Sequence, residues 1–256
     1  MSSTNARPLI GRRVVRLAEA ASTNDVAARL AREDADEGTV VWADRQTEGR
    51  GRRGRGWFCL PGKSLCASVI LRPALDRDHW GLLGMTAALA VRRAAGAWGV
   101  CAAVKWPNDV VCGSRKLAGV LAETVADAAI VGIGCNVNGT PDEFPPELQA
   151  SVTTLEAQRG EAVDIAAFAA ALWSALDDLY QALLEQPAAV LDEWRAADAL
   201  VGQPVAVQTP QGTVAGTHAG VDEAGALLLE VGDGGTVRLL SGEVSVRGVV
   251  RPSAPS

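Results

Sequence analysis

The sequence predicts an α+β protein, a mixed β-sheet catalytic-size domain with packed helices followed by a small β-barrel. Three observations carry this. Apolar runs of strand length alternate with Ala- and Leu-rich helical stretches from residue 14 to 137. Two helical patterns follow, over 163–184 and 187–199. Beyond Leu200 the pattern changes to short alternating strands with glycine turns, five in about fifty residues. At 256 residues the chain has room for one large and one small domain. The boundary falls between 1–199 and 200–250, with 251–256 a disordered tail.

The elements follow in order. Val14 to Leu17 reads as a first strand after a loose start over 1–11. Ser22-Thr23-Asn24-Asp25 supplies a capping-type start to a short helix over Val26 to Ala31. Thr39 to Ala43 is strand, Asp44 to Gly56 a long loop, and Leu65 to Leu71 strand. Trp80 to Trp98, rich in Leu and Ala, is a mostly buried helix. Val110-Val111 and Leu117 to Glu123 flank Cys112-Gly113-Ser114-Arg115 as a hairpin, and Ile130 to Val137 is the next strand. The small unit comprises Pro204 to Gln208, Thr213 to Ala219, Ala226 to Val231, Thr236 to Leu240 and Val244 to Val249.

Composition narrows the function classes. Hydrophobic residues make up 48% and charged residues 21%, the balance of an ordinary globular chain. With 24 Lys+Arg against 30 Asp+Glu the net charge is −6, which argues against nucleic-acid binding by bulk charge. Five cysteines without C-x-x-C spacing and only two histidines form no zinc pattern, so the cysteines read as reduced, small apolar residues. No secretory segment or membrane-length apolar run is present, which sets the expectation of a cytoplasmic protein with no membrane partner.

Gly49-Arg50-Gly51-Arg52-Arg53-Gly54-Arg55-Gly56-Trp57 is the densest chemistry in the chain, four arginines among four glycines. Glycine allows backbone N–H groups to approach a ligand, and arginine offers forked positive charge matched to carboxylate and phosphate. The bland alternative is a mobile basic surface loop, but Trp57 and Phe58 add an aromatic surface on which a purine could stack. Gly62-Lys63-Ser64 is not a P-loop, because Trp57 stands where its first glycine belongs and a strand follows. Lys105-Trp106-Pro107-Asn108-Asp109 reads as a turn bearing a cation and a carboxylate. The hairpin should bring Asp109 and Lys116 together as near cross-strand neighbours. Gly132-Ile133-Gly134-Cys135-Asn136 lacks the helix of a dinucleotide fingerprint, yet leaves room for a flat ligand with Asn136 reading its edge.

Taken together and in this order, Ser22-Thr23-Asn24, Gln46 with Gly49 to Trp57, Lys105 to Asp109, Lys116-Leu117-Ala118-Gly119 and Gly134-Cys135-Asn136 resemble the biotin protein ligases. The resemblance spans residues 22–136. It implies a class II synthetase-like catalytic core, an SH3-like C-terminal barrel, and activation of biotin with ATP to biotinyl-5′-AMP. Biotin then passes to a lysine of a biotin carboxyl carrier protein domain. The implied biotin site is Ser22, Thr23, Asn24, Gln46, Gly49, Arg50, Gly51, Arg52, Lys116 and Gly119. Arg52, Arg55, Trp57, Lys116 and Asn136 are implied for ATP and the adenylate. Lys116 and Arg52 are the implied catalytic cations, and the acceptor lysine's own chemistry makes Asp109 the candidate to orient or deprotonate it, completing the catalytic set Lys116, Arg52 and Asp109. Mg²⁺ is expected on the triphosphate, with no protein ligand identified for it.

The glycines further suggest a loop disordered without ligand that closes over the adenylate, so that Arg52→Gly would let the intermediate leak. About twenty residues precede Ser22, too few for the helix-turn-helix domain of some members, so a monofunctional ligase with no DNA partner is expected. A homodimer is left open. Three rivals are a lipoate or octanoate transferase, which should lack the Arg/Gly loop, a nucleic-acid-binding module, and a biotin-binding protein that consumes no ATP.

Overall fold

The computed structural model describes residues 8–232 and 234–246. The expected tail, the first seven residues and the end of the last predicted strand lie outside those residues. Seven strands, β1 (Val14–Ala20), β2 (Val40–Gln46), β3 (Ser64–Leu71), β4 (Ala103–Lys105), β5 (Asp109–Cys112), β6 (Arg115–Val125) and β7 (Ala128–Asn136), form one sheet in the order β1-β2-β3-β7-β6-β5-β4. Only β1 and β2 run parallel; the remaining pairs are antiparallel, so the sheet is mixed. The described helices are α1 (Thr23–Arg32), α2 (Gly81–Ala97), the short α3 (Pro146–Gln149) and α4 (Leu155–Arg159), α5 (Ile165–Glu185) and α6 (Pro187–Ala197).

Alternation along the strands decides which helices cover which face. Val40, Trp42, Leu65, Ala67, Val69, Val131, Ile133 and Cys135 point into one large core with α2, α5 and α6. The Ala/Leu stretch of α2 packs between these strands and α5 and is buried nearly all round. Val41, Ile70, Ala128 and Ile130 point the other way and pack on Ala27 and Ala31 of α1. At ten residues, α1 covers only part of that second face. Further along the same strands its place is taken by Ser68 on β3, Gly132 and Gly134 on β7, and Gly119 on β6.

The helix starts at Thr23, three residues before the predicted first turn. Ser22 is the N-cap residue but makes no side-chain capping bond. The Thr23 N–H is instead received by Gln46 Oε1 from β2 at 2.7 Å, so a strand side chain satisfies one of the orphan donors of the helix. The short elements β4, α3 and α4 lie in stretches assigned no regular structure by pattern, because three to five residues show no periodicity.

After Leu200, β8 (Pro204–Thr209), β9 (Gly212–Val221), β10 (Leu227–Glu230), β11 (Thr236–Leu239) and β12 (Glu243–Val246) form an antiparallel sheet ordered β11-β10-β9-β8-β12. Five strands are present, as predicted. Among the described residues the outer strands β11 and β12 do not pair, so this sheet is open. The cysteine expectation needs a correction. Cys59 and Cys66 are joined as a disulfide across the turn leading into β3, while Cys101, Cys112 and Cys135 stay free. The turn explains the meeting: Ser64 N–H bonds Leu60 C=O at 3.0 Å and folds Cys59 back on the new strand. Burial holds for four of the five, with Cys101 exposed.

The two sheets are tied together by Trp106, buried to 2% exposure, whose indole N–H donates to Gly225 C=O at 2.9 Å. His218 Nε2 lies 2.9 Å from Asp198 Oδ2 in the same seam, both side chains fully buried. Trp106→Phe removes the donor and leaves the buried Gly225 carbonyl unmet. A loss of about 1–3 kcal/mol is expected in urea unfolding, with an unchanged circular dichroism spectrum.

Candidate functional site

The uncovered half of the sheet is a cleft of about 410 Å³, bounded by the start of α1, the Arg/Gly loop, the β5–β6 hairpin and the edge of the C-terminal sheet. Three parts can be distinguished along it.

At the α1 end, polar side chains are buried and mutually bonded. Thr23 Oγ1 donates to Gln46 Oε1 at 3.0 Å, and Ser68 Oγ lies 2.8 Å from Thr23 Oγ1 and 2.6 Å from Asn24 Oδ1. Asn24 Nδ2 donates to Glu123 Oε2 at 2.6 Å. Ser22, Thr23, Asn24 and Ser68 are all at most 4% exposed. Buried polar groups in this density form a preset pattern of donors and acceptors for a small polar ring.

The middle floor consists of backbone. Gly119 and Gly134 are register partners on β6 and β7, and Leu121 pairs with Gly132. A Cβ on Gly134 would overlap the Trp57 indole, and one on Gly119 would lie 3.2 Å from it. The flat group for which these glycines leave room is, in this structure, the Trp57 ring. Its buried Nε1 has no hydrogen-bond partner.

The loop carrying Trp57 is a small hairpin rather than an irregular segment. Arg50 and Gly56 bridge antiparallel, Gly51 N–H bonds Arg55 C=O and Trp57 N–H bonds Gly49 C=O, each at 2.7 Å. Arg53 and Gly54 turn the tip with φ of 59° and 73°. The loop is folded and docked against the C-terminal sheet. Arg52 Nη1 reaches Gly242 C=O at 3.5 Å, Arg53 Nη1 reaches Gln208 C=O at 2.8 Å, and Arg55 pairs with Glu243. At its base Arg50 grips Asp25 with two bonds of 2.6 and 2.7 Å. Those bonds hold the Asp25 carboxyl below the usual carboxylate range and raise the Arg50 pKa in return.

At the far end stand the cations. Lys116 Nζ meets Asp109 Oδ1 at 2.6 Å and lies 5.4 Å from the Trp57 ring centroid. The predicted meeting therefore occurs, diagonally, because Asp109 pairs with Gly119 and a bulge at Val110/Val111 brings Lys116 opposite Val111. Burial lowers the Arg52 pKa, neighbouring Arg53 lowers it further, and Asp109 opposes both. Clustered cations partly withdrawn from water are stabilised by an anion between them. Asn136, 1% exposed, donates through Nδ2 to Thr153 C=O at 3.1 Å and Lys116 C=O at 3.4 Å. Its Oδ1 has no partner, so the side chain offers an acceptor only. Phe58 and Phe144, ring centroids 5.9 Å apart, flank this end.

Of the residues singled out from sequence, Ser22, Thr23, Asn24, Gln46, Arg50, Gly51, Arg52, Arg55, Trp57, Asp109, Lys116, Gly119 and Asn136 all line the cleft. Gly49 does not; it serves through its carbonyl, which fixes Trp57. Sequence reading missed Phe144 and Val152, which arrive from a segment paired with the start of β6, and Gly242 and Glu243 from the C-terminal sheet. No local pattern marks these, since they reach the cleft only through long-range packing.

Known proteins resemble this chain on both counts. Residues 18–139 match the biotin/lipoate A/B protein ligase family, and 200–247 match the biotin protein ligase C-terminal domain. A biotin–[acetyl-CoA-carboxylase] ligase of Paracoccus denitrificans is 36% identical over 228 residues, covering 83% of this chain and 92% of that one. The enzyme of that name from Mycobacterium tuberculosis is 33% identical over 235 residues, covering 89% and 86%. Among solved structures, the biotin protein ligase of Aquifex aeolicus in complex with biotin and ATP superposes with a TM-score of 0.78 at 30% identity, over 92% of this chain and 99% of that one.

If the Trp57 ring depends on a bare Gly134, Gly134→Ala should cost about 1–3 kcal/mol through overpacking. In a Trp57→Ala background the same substitution should cost far less, a coupling readable in a double-mutant cycle of urea melts. Additive losses would separate the two residues.

Proposed function

This chain belongs to the biotin protein ligase family, and from that premise we propose that it joins biotin to ATP and passes the biotinyl group to a lysine of a biotin carboxyl carrier protein domain. The observation that carries the reading is one continuous cleft. It has a preset polar cage at one end, a glycine floor under the Trp57 ring in the middle, and at the other end the cations together with the acceptor-only Asn136 amide.

The first step forms a bond between a biotin carboxylate oxygen and the α-phosphorus of ATP and breaks the bond to pyrophosphate. Two anions must approach, so catalysis depends on charge and position. Lys116 has three donors, one of them on Asp109, and Arg52 is the second cation at the junction. Arg55 lies toward the leaving pyrophosphate. Trp57 covers the adenylate, and Asn136 Oδ1 accepts from the adenine amino group, which guanine would replace with a carbonyl. Ser22, Thr23 and Gln46, with loop backbone near Arg50, hold the ureido ring. In the second step the carrier amine attacks the mixed anhydride and AMP leaves. That amine, ordinarily protonated near neutral pH, must lose a proton, and Asp109 is placed to accept it or to orient the amine.

Mg²⁺ fits the cleft as a companion of the nucleotide. Among the described residues no three acidic, His or Cys side chains cluster. Of the cleft carboxylates, Asp109 is held by Lys116 and Glu243 by Arg55, so the ion we propose would keep phosphate and water ligands and screen the triphosphate. We further propose that the C-terminal sheet curls into the SH3-like barrel of the family and braces the loop through Gly242 and Glu243. The reading places the protein in the cytoplasm, without a DNA partner, and leaves a homodimer open. Among the described residues no helix is long and apolar enough to cross a membrane.

The test is transfer of biotin to a purified carrier domain, read as the mass of the intact carrier. Modification of its acceptor lysine, requiring both biotin and ATP, is expected; an unmodified carrier would overturn the reading. Lys116→Gln should slow the overall reaction about 10²–10³-fold, the usual cost of losing a charge-stabilising donor. Asp109→Asn should slow transfer from preformed biotinyl-5′-AMP at least about tenfold. If adenylation falls and that transfer does not, Asp109 serves only to hold Lys116.

A further inference from the structure

Glu123 is not part of the cleft wall, yet it stands at the end of a chain of hydrogen bonds leading into the ring-binding end. It lies on β6, paired with Ile130, two residues beyond Leu121 and its partner Gly132. The Asn24 amide lies directly over Gly132, where any Cβ would collide with its Oδ1. Only a glycine lets Asn24 reach past β7 to Glu123.

The directions of these bonds are set by chemistry. A carboxylate accepts and does not donate, so the Asn24 atom 2.6 Å from Glu123 Oε2 is the NH₂ group. Asn24 then turns its carbonyl oxygen to Ser68, 2.6 Å away. A hydroxyl has one proton, and Ser68 must give it to that carbonyl. Ser68 is fully buried, so its proton goes to a protein acceptor within reach. With that proton committed to Asn24, Ser68 turns a lone pair to Thr23 at 2.8 Å, and the Thr23 proton is held between Ser68 and Gln46 Oε1, 3.0 Å away. Either way the single proton of Thr23 stays within the protein, and the face it turns to the cleft is lone pair. Gln46, its oxygen fixed on the Thr23 N–H, turns its NH₂ group to Cys59 Sγ at 3.8 Å and has a second hydrogen left to donate.

We propose that Glu123, acting through Asn24 and Ser68, is a positioning residue that makes Thr23 an acceptor toward the ligand and thereby selects a ring bearing N–H donors. This rests on the function proposed above, in which Thr23 faces the ureido ring. A cyclic urea offers two N–H groups and one carbonyl, which matches acceptors at the hydroxyls and a donor at Gln46. Arg50 touches Glu123 only at 3.5 Å, whereas its bonds to Asp25 are short, so anchoring of the loop and polarity of the cage are separable.

The test compares binding of biotin with two cyclic carbamate analogues, each having one ureido N–H replaced by oxygen. Wild-type protein should reject the analogue whose oxygen faces Thr23 by roughly 100-fold or more, because two lone pairs then oppose each other. Glu123→Met releases Asn24 to rotate at nearly constant volume, and Ser68→Ala breaks the chain without depending on Glu123. Each should narrow that discrimination by about tenfold or more, while the KM for ATP stays within about twofold. Asp25→Asn, which loosens Arg50 alone, should keep the wild-type ratio. Unchanged discrimination in folded Glu123→Met and Ser68→Ala proteins would overturn the proposal, as would equal narrowing in Asp25→Asn. Failure of the wild-type chain to bind biotin would instead remove the function on which it rests.

Discussion

The site depends on a steric constraint, the close approach of side chains to the bare backbone of two neighbouring strands. Gly119 and Gly134 face each other across β6 and β7, and Gly132 lies two pairs further on, on the same face. Their missing Cβ atoms admit the Trp57 ring at one point and the Asn24 amide at another. Helix α1 would have to be longer to cover this surface, and at ten residues it stops where the glycines begin. The same sheet face that is a dry core under α1 is therefore a cleft beyond it. On the opposite face α2, α5 and α6 pack against the strands in one large apolar core.

Electrostatics acts within the space the glycines leave. The arginines of the loop are divided by their partners: Arg50 is tied to Asp25 and anchors the base, while Arg52, Arg53 and Arg55 reach toward the C-terminal sheet. That division links the two sheets through charge and backbone bonds as well as through Trp106. Lys116 and Asp109 face each other where the hairpin bulges, so the Asp109 carboxylate offsets part of the positive charge gathered at that end of the cleft.

Much of this was legible in the sequence because it is local. Six of the seven strands of the large sheet, its two long helices and the five C-terminal strands follow from apolar periodicity, and Asp109 and Lys116 meet because only Gly113 and Ser114 separate their strands. The Arg/Gly loop and the Lys105–Asp109 turn announce themselves by composition. What escaped is long-range or small. Gly242 and Glu243 reach the loop from about 190 positions away in sequence, as the Arg52–Gly242 contact shows. Glu123 reads as an ordinary polar residue on an alternating strand, and its role exists only because Gly132 opens the way to Asn24. Ser22 looks like a conventional cap, yet Gln46 takes over part of that task. The pairing of Cys59 with Cys66 depends on a turn that their spacing alone does not specify.

The central claim is that one cleft places a ureido-bearing carboxylate against the α-phosphate of ATP. ATP–pyrophosphate exchange by the purified protein, with biotin, lipoate and octanoate as alternative carboxylates, tests it most directly. Exchange that requires biotin and is silent with the other two is the predicted result. Exchange driven equally by lipoate or octanoate, or none with any of the three in a folded protein, would contradict it.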